Sequence, residues 1–259
     1  MQVVILAGGR GTRAYPFTEY LPKPMMPVSG KPIIERVMEL FALQGVIDFI
    51  ISVGYRKEVI IDYFATPRAD WRVNVVDTGT ETDTGDRIKR CAHLLENTFM
   101  ATYSDGLCDV DLAKLLGFHR SHAGLATVTS VPLVSQYGTI ESDPDGRVTG
   151  FFEKPVLHQY WINAGFFIMD SACFNHWKGE SLEREVLPAL QQEGQLYTYH
   201  HSGFFRSMDT HKDQQEIERL FDEGAVPWMR RPEPMRATPE ATGSRIIAEP
   251  PPTSSGEME

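Results

Sequence analysis

Val3-Val4-Ile5-Leu6 run directly into Ala7-Gly8-Gly9-Arg10-Gly11-Thr12-Arg13, so an apolar, largely β-branched segment gives way within one residue to a glycine loop. The four apolar residues predict a buried strand, and the glycines let backbone N–H groups approach a ligand where any Cβ would collide. Arg13 and Lys23, the latter within Pro22-Lys23-Pro24-Met25-Met26-Pro27, add two cations beside the same loop. That pairing suits an oligophosphate, whose charge must be offset before a nucleophile can approach it. A Gly-Gly-x-Gly loop by itself is equally an ordinary tight turn.

Downstream, the hydrophobic period alternates. Pro32 stands where a first helical turn would start, and Ile33, Ile34, Val37, Met38, Leu40 and Phe41 recur at helical spacing up to Gly45. Residues 49–53 predict a strand, 58–64 a short helix and 73–76 a further strand, the βαβ pattern of a parallel sheet. The Thr-, Gly- and Asp-rich segment 77–86 predicts a loop, followed by a helix over 85–95, a strand over 99–103 ending in Ser104-Asp105-Gly106, a helix over 111–122 and a strand over 126–131. Ligands bind outside the carboxyl ends of strands in such sheets, so segments 6–13, 77–85 and 104–106 are expected to share one cleft. In the second half, short strands at 138–140, 147–154 and 161–169 are expected to complete the same sheet in antiparallel fashion. Helices at 182–192 and 211–221 flank a strand at 196–200. The fold class expected is α/β, a Rossmann-like, mixed but mostly parallel sheet flanked by helices.

Composition excludes several classes. The net charge of −10 argues against nucleic acid as partner, because that binding rests on many Lys and Arg contacts to phosphate. No run approaches the roughly 18 apolar residues of a membrane span, and no basic, apolar leader precedes the first strand, so neither a membrane nor export is expected. Cys91, Cys108 and Cys173 lack metal or disulfide spacing, which fits a reducing cytoplasm. His119 and His122, and the pair His200-His201, lack a third ligand at sensible spacing, so no zinc site is expected.

Leu6-Ala7-Gly8-Gly9-Arg10-Gly11-Thr12-Arg13 followed by Pro22-Lys23-Pro24 resembles the signature of sugar-1-phosphate nucleotidyltransferases. Within that family, Val76-Asp77-Thr78-Gly79, Thr84-Gly85-Asp86-Arg87-Ile88-Lys89-Arg90 and Met208-Asp209-Thr210 are similar to the glucose-1-phosphate cytidylyltransferase branch. The resemblance covers residues 1–228. It implies a GT-A-like nucleotidyltransferase domain over 1–231, with antiparallel strands on the sugar side, and leaves 232–259 as a Pro-, Glu- and Ser-rich tail too poor in large apolar residues to order itself.

The reaction so implied is attack by a sugar-1-phosphate oxygen on the α-phosphorus of a nucleoside triphosphate, expelling pyrophosphate. Two polyanions must meet, and each pair of unit charges at about 4 Å repels by about 4 kcal/mol at an effective dielectric of about 20. Because the nucleophile is already an anion, the site needs positioning and positive charge rather than a general base. The resemblance gives Arg13, Lys23 and Asp105 the catalytic roles. It assigns nucleotide binding to Leu6, Ala7, Gly8, Gly9, Gly11, Thr12, Arg13, Lys23, Thr84, Gly85 and Ser104. Sugar-phosphate binding falls to Tyr137, Gly138, Glu153, Lys154, Asn163 and Gly165, and Mg²⁺ to Asp105 and Asp209.

As bare residues, Asp105-Gly106 is an ordinary turn, Asp209 a helix cap and Glu153-Lys154 a strand-end ion pair. The similarity of Thr84 to Arg90 to the cytidylyl branch favours CTP, with UTP, dTTP or GTP as alternatives for the same chemistry. A regulatory module that binds nucleotide sugars without turnover is a further alternative. The family also implies a homo-oligomer. A Rossmann dehydrogenase fails, because Tyr15 replaces the third glycine and no acidic residue ends the second strand near Val53.

Overall fold

The structure, a computed structural model, describes residues 1–12, 17–67 and 70–230. Arg13 and the expected tail therefore lie outside the described residues. In chain order the strands and α-helices are β1 (Gln2–Ala7), β2 (Pro27–Val28), β3 (Lys31–Pro32), α1 (Ile33–Leu43), β4 (Asp48–Val53), α2 (Lys57–Phe64), β5 (Arg72–Asp77), α3 (Thr84–Arg90) and β6 (Thr98–Tyr103). They continue with β7 (Gly106–Cys108), α4 (Leu112–Arg120), β8 (Ala126–Val134), β9 (Thr139–Ser142), β10 (Val148–Phe152), β11 (Val156–Asp170), α5 (Leu187–Gln192), β12 (Leu196–His200), β13 (Phe205–Ser207) and α6 (His211–Asp222).

A seven-stranded sheet in the order β12-β8-β11-β6-β1-β4-β5 forms the centre. β6, β1, β4 and β5 run parallel, β12 is parallel to β8, and β11 is antiparallel to both its neighbours. The unbroken apolar run of β1 follows from this position. Val3, Ile5 and Ala7 face one core with α1 and α6, while Val4 and Leu6 face a second with α3 and α5. A strand covered on both faces has no solvent side on which to place polar residues.

From β1 the chain winds outward through α1, β4, α2 and β5, then returns through α3 to β6 on the other side of β1. The direction of winding reverses between β1 and β6, and a crevice opens there outside the carboxyl ends of both strands. The α/β expectation holds, with β11 as the antiparallel strand on the acceptor side.

Three local expectations are corrected. The strands near 138–140 and 147–154 do not join the main sheet, because β9 and β10 pair only with each other as a separate antiparallel ladder. The loop after β5 is shorter than expected: the Asp83 carboxylate accepts a hydrogen bond from the Thr84 N–H at 2.7 Å and starts α3 there, and the helix ends at Arg90 before a 3-10 turn, Ala92–Leu94. The helix over 182–192 opens as a π-helical turn, Leu182–Val186, capped by Ser181, before α5 begins. The short ladders β2–β3 and β7–β13 have no periodic signal, since strands of two or three residues are too short to show one.

Candidate active site

The glycine loop is held from below by a buried guanidinium. Arg87, on α3, donates to the Gly8 carbonyl at 3.0 Å, the Gly79 carbonyl at 2.9 Å and the Thr78 hydroxyl at 2.8 Å, and reaches the carbonyls of Val53 and Thr80 at 3.3 Å. One side chain thus ties together the ends of β1, β4 and β5. Burial, and then the neighbouring Arg90, hold the Arg87 pKa below the ordinary arginine value; the ring of carbonyl acceptors offsets the desolvation of the charge. Gly8 is glycine for this reason. A Cβ there would lie 1.9 Å from Arg87 Nη1, so the residue makes room for the guanidinium rather than for a ligand.

Gly11 serves Lys23. It has φ +61°, and a Cβ on it would sit 2.7 Å from Lys23 Cβ. The lysine leaves a 3-10 turn, Lys23–Met25, passes beneath Gly11 and ends between two carboxylates. Its Nζ donates in a short bond to Asp105 Oδ2 and at 2.8 Å to Asp209 Oδ1. Burial works against this ammonium, but the charges and hydrogen bonds of Asp105 and Asp209 outweigh it and hold its pKa above the ordinary lysine value.

The two carboxylates are 104 positions apart in the chain and meet through the β7–β13 ladder. Asp105 immediately precedes β7, Asp209 closely follows β13, and the Met208 N–H donates to the Asp105 carbonyl at 2.9 Å. Asp209 is not the cap of α6. Thr210 and Asp213 form that capping box, while Asp209 Oδ2 accepts from the Ser207 hydroxyl at 3.1 Å. Two carboxylates offer oxygen donors alone, the set a hard cation such as Mg²⁺ takes, and the ammonium between them shows that the site holds positive charge.

A cavity of about 520 Å³ opens at this crevice. Of the residues singled out from sequence, Leu6, Ala7, Gly9, Gly11, Lys23, Thr84, Ser104, Asp105, Asn163 and Asp209 line it. So do Tyr103 and Glu183, which sequence reasoning did not select. Glu183 accepts from the Tyr103 hydroxyl in a short bond and from the Thr84 hydroxyl at 2.7 Å, and Asn163 Nδ2 donates to the Tyr103 hydroxyl at 3.3 Å. This chain joins α3, β6, β11 and the π-helical turn across one wall. Burial, then the charge of Glu183, push the Tyr103 pKa well above the usual phenol range, so the hydroxyl remains a donor. No local signal marks Glu183, because its role comes from a side chain 80 positions away.

The remaining candidates lie elsewhere. Gly85 packs against the Glu180 carbonyl and Gly165 against the Tyr103 ring, both behind the lining, and Thr12 is exposed. Tyr137, Gly138, Glu153 and Lys154 gather around the β9–β10 ladder. A Cβ on Gly138 would lie 3.1 Å from Glu153 Oε2, and Lys154 Nζ is 3.9 Å from Glu153 Oε1. None of these four lines the cavity. His119 and His122 are engaged by Thr127 at 2.9 and 2.8 Å. Of the aromatics in 161–167, Phe166 and Phe167 are buried in the core, whereas Trp161 stacks on His200 with ring centroids 4.0 Å apart.

Residues 2–206 match the sequence profile of the Nucleotidyl transferase family. The chain belongs to this family. Among nucleotidyl transferases, it is 35% identical to a glucose-1-phosphate cytidylyltransferase of Salmonella typhi over 254 residues, covering 88% of this chain and 98% of that protein. A probable glucose-1-phosphate cytidylyltransferase of Bacillus subtilis is 32% identical, with 88% and 99% covered. The crystal structure of HddC from Yersinia pseudotuberculosis superposes with a TM-score of 0.67 at 27% identity, covering 85% of this chain and 99% of that one. The same protein has also been crystallised with GMP-PN. Among the described residues of this nucleotidyl transferase, no helix is long and apolar enough to cross a membrane.

Proposed function

We propose that the protein transfers a cytidylyl group from CTP to glucose-1-phosphate or a related sugar-1-phosphate, with release of pyrophosphate. The observation that carries this reading is the Lys23 ammonium held between Asp105 and Asp209 at the rim of a crevice floored by the glycine loop. A sugar-phosphate oxygen forms the new bond to the α-phosphorus as the bond to the pyrophosphate oxygen breaks, and no proton need be removed. Backbone N–H groups of the loop at Gly9 and Gly11, which line the cavity, receive the triphosphate. Lys23, once its ammonium yields the carboxylates, turns to the α-phosphate, and Arg13 stabilises the departing pyrophosphate. Asp105 and Asp209 would hold Mg²⁺, which would supply Lewis-acid charge neutralisation. Asn163 faces the hexose, and Glu153 and Lys154 take the sugar hydroxyls and phosphate.

CTP is favoured by the names of the Salmonella and Bacillus relatives and by the Thr84–Arg90 segment. The GMP-PN complex of HddC supports the second reading, the same chemistry with a guanine nucleotide. A homo-oligomer in a reducing cytoplasm completes the proposal, in keeping with three cysteines that are all free and buried.

The test is pyrophosphate release with Mg²⁺, crossing CTP, UTP, dTTP, GTP and ATP with a panel of sugar-1-phosphates. Turnover is expected with CTP and a glucose-type sugar, and Asp105→Asn is expected to lower it by at least about a hundredfold. Turnover confined to GTP would transfer the assignment to the second reading. Nucleotide binding without turnover on any pair would sink the enzymatic reading in favour of a regulatory module.

A further inference from the structure

The β7–β13 ladder carries polar clusters at both ends. Asp105 and Asp209 lie at one end; at the other stand Cys108, Asp109 and His201. The three ligand atoms of this second group lie within 4.8 Å of one another, and His201 Nε2 is 2.7 Å from Asp109 Oδ1. We propose that Cys108, Asp109 and His201 form a second metal site, distinct from the candidate active site, that takes a soft divalent cation of the zinc class.

The donor set selects the ion. A thiolate and an imidazole suit Zn²⁺ and disfavour Mg²⁺, which takes oxygen donors. No two of the three donor atoms are more than 4.8 Å apart, against separations of about 3.3–3.8 Å between ligands set tetrahedrally around Zn²⁺ at about 2.0–2.3 Å. Side-chain shifts of up to about 1 Å close the site.

The backbone is fixed before any ion arrives. The Asp109 N–H donates to the Phe204 carbonyl at 3.2 Å, the Phe204 N–H returns to Asp109 Oδ1 at 2.7 Å, and the His201 N–H donates to the Ser130 carbonyl at 2.8 Å. Both side-chain bonds of Asp109 use Oδ1, and the Phe204 N–H keeps that oxygen in place as it ligates. Between His201 Nε2 and Asp109 Oδ1 the ion replaces the proton of their hydrogen bond, and the imidazole keeps its one proton on Nδ1.

Solvent reaches the site from the carboxylate side, where the Asp109 side chain is 32% exposed, and a water can take the fourth position. Burial, then the Asp109 charge, push the Cys108 thiol up to about 12, so without a cation it is inert. A bound cation reverses that penalty, and the thiol proton passes to water as the metal–sulfur bond forms. Among the described residues, neither Cys91 nor Cys173 belongs to such a cluster. Sequence spacing conceals the group, since His201 is 92 positions from Asp109.

The test is titration of metal-stripped, nucleotide-free protein with Co²⁺, read by the thiolate-to-cobalt charge-transfer absorption, with Zn²⁺ as competitor. One equivalent of Co²⁺ is expected to produce the band and one equivalent of Zn²⁺ to remove it. Cys108→Ser is expected to abolish the band, His201→Gln to weaken Co²⁺ binding at least about tenfold, and Asp105→Asn to leave it unchanged. Absence of the band in the wild-type protein, its persistence in Cys108→Ser, or its loss in Asp105→Asn would each overturn the proposal. Because the readout involves neither nucleotide nor turnover, it stands or falls independently of the proposed function.

Discussion

The proposed triphosphate end of the candidate site and its proposed sugar end are built differently. At the first, the glycine loop and Asp105 follow the buried parallel strands β1 and β6, Asp209 follows β13, Lys23 joins the two carboxylates, and Arg87 knots three strand ends together. At the second, the residues expected to hold the sugar phosphate sit on a ladder outside the main sheet, with Ile140 62% and Phe151 64% exposed. Preorganisation is therefore uneven. The charge-stabilising groups are positioned by the fold itself, whereas β9–β10 pairs with no strand of the main sheet and does not line the cavity. Positioning before substrate arrives lowers the barrier of the chemical step, while groups brought up by the substrate draw on its binding energy.

The sharpest way to break this comparison is Gly8→Ala. The added methyl would collide with the Arg87 guanidinium, and displacing that group parts a buried charge from its acceptors at Gly8, Thr78 and Gly79, so a loss of about 2–4 kcal/mol is expected. Urea unfolding midpoints at unchanged m-value would measure it. A variant as stable as wild type would show that the knot does not hold the triphosphate end.

Lys154→Ala probes the other end. The side chain is exposed, so stability should change by less than about 0.5 kcal/mol. KM for the sugar-1-phosphate should rise about tenfold, or about 1.4 kcal/mol, with KM for the nucleotide unchanged. Identical KM values for both substrates would remove β9–β10 from the site.

The smallest effect concerns the start of α3, which bears Thr84 on the cavity wall. The Thr84 N–H, and less strongly Arg184, hold the Asp83 pKa below its ordinary value of 3.8. A lowered carboxylate pKa stabilises the fold fully above the unfolded value, and the contribution disappears as pH falls through the folded value. Asp83→Ala should therefore cost about 0.5–1 kcal/mol at neutral pH, and the gap to wild type should narrow once pH drops below about 3.8. Parallel stability–pH curves for the two proteins would show that the ionised cap contributes nothing.

Much of the parallel half can be read from sequence, because a strand buried on both faces must be apolar throughout and a helix on its flank must repeat with period 3.6. β1, α1, β4, α2 and β5 fall within a residue or two of expectation. β9 and β10 also carry an extended pattern, yet pattern alone does not say which sheet a strand joins; pairing is decided by neighbours distant in sequence. Lys23 and Asp105 are visible through their flanking residues, but Arg87 lies inside a segment noted only for its resemblance, and nothing adjacent to Glu183 signals that Tyr103 and Thr84 converge on it.

By itself, then, the amino-acid sequence determined the alternating α/β plan, the glycine loop and the acidic and basic residues that mark the family, since each is written in local period or short spacing. Only the tertiary structure decided that Asp105 and Asp209 share one ammonium, that Gly8 yields its space to Arg87, and that Cys108 and Asp109 meet His201. Those three depend on the β7–β13 pairing and on the crossover that returns the chain to β6. Contacts across tens of residues are fixed by packing, which leaves no periodic trace in the chain.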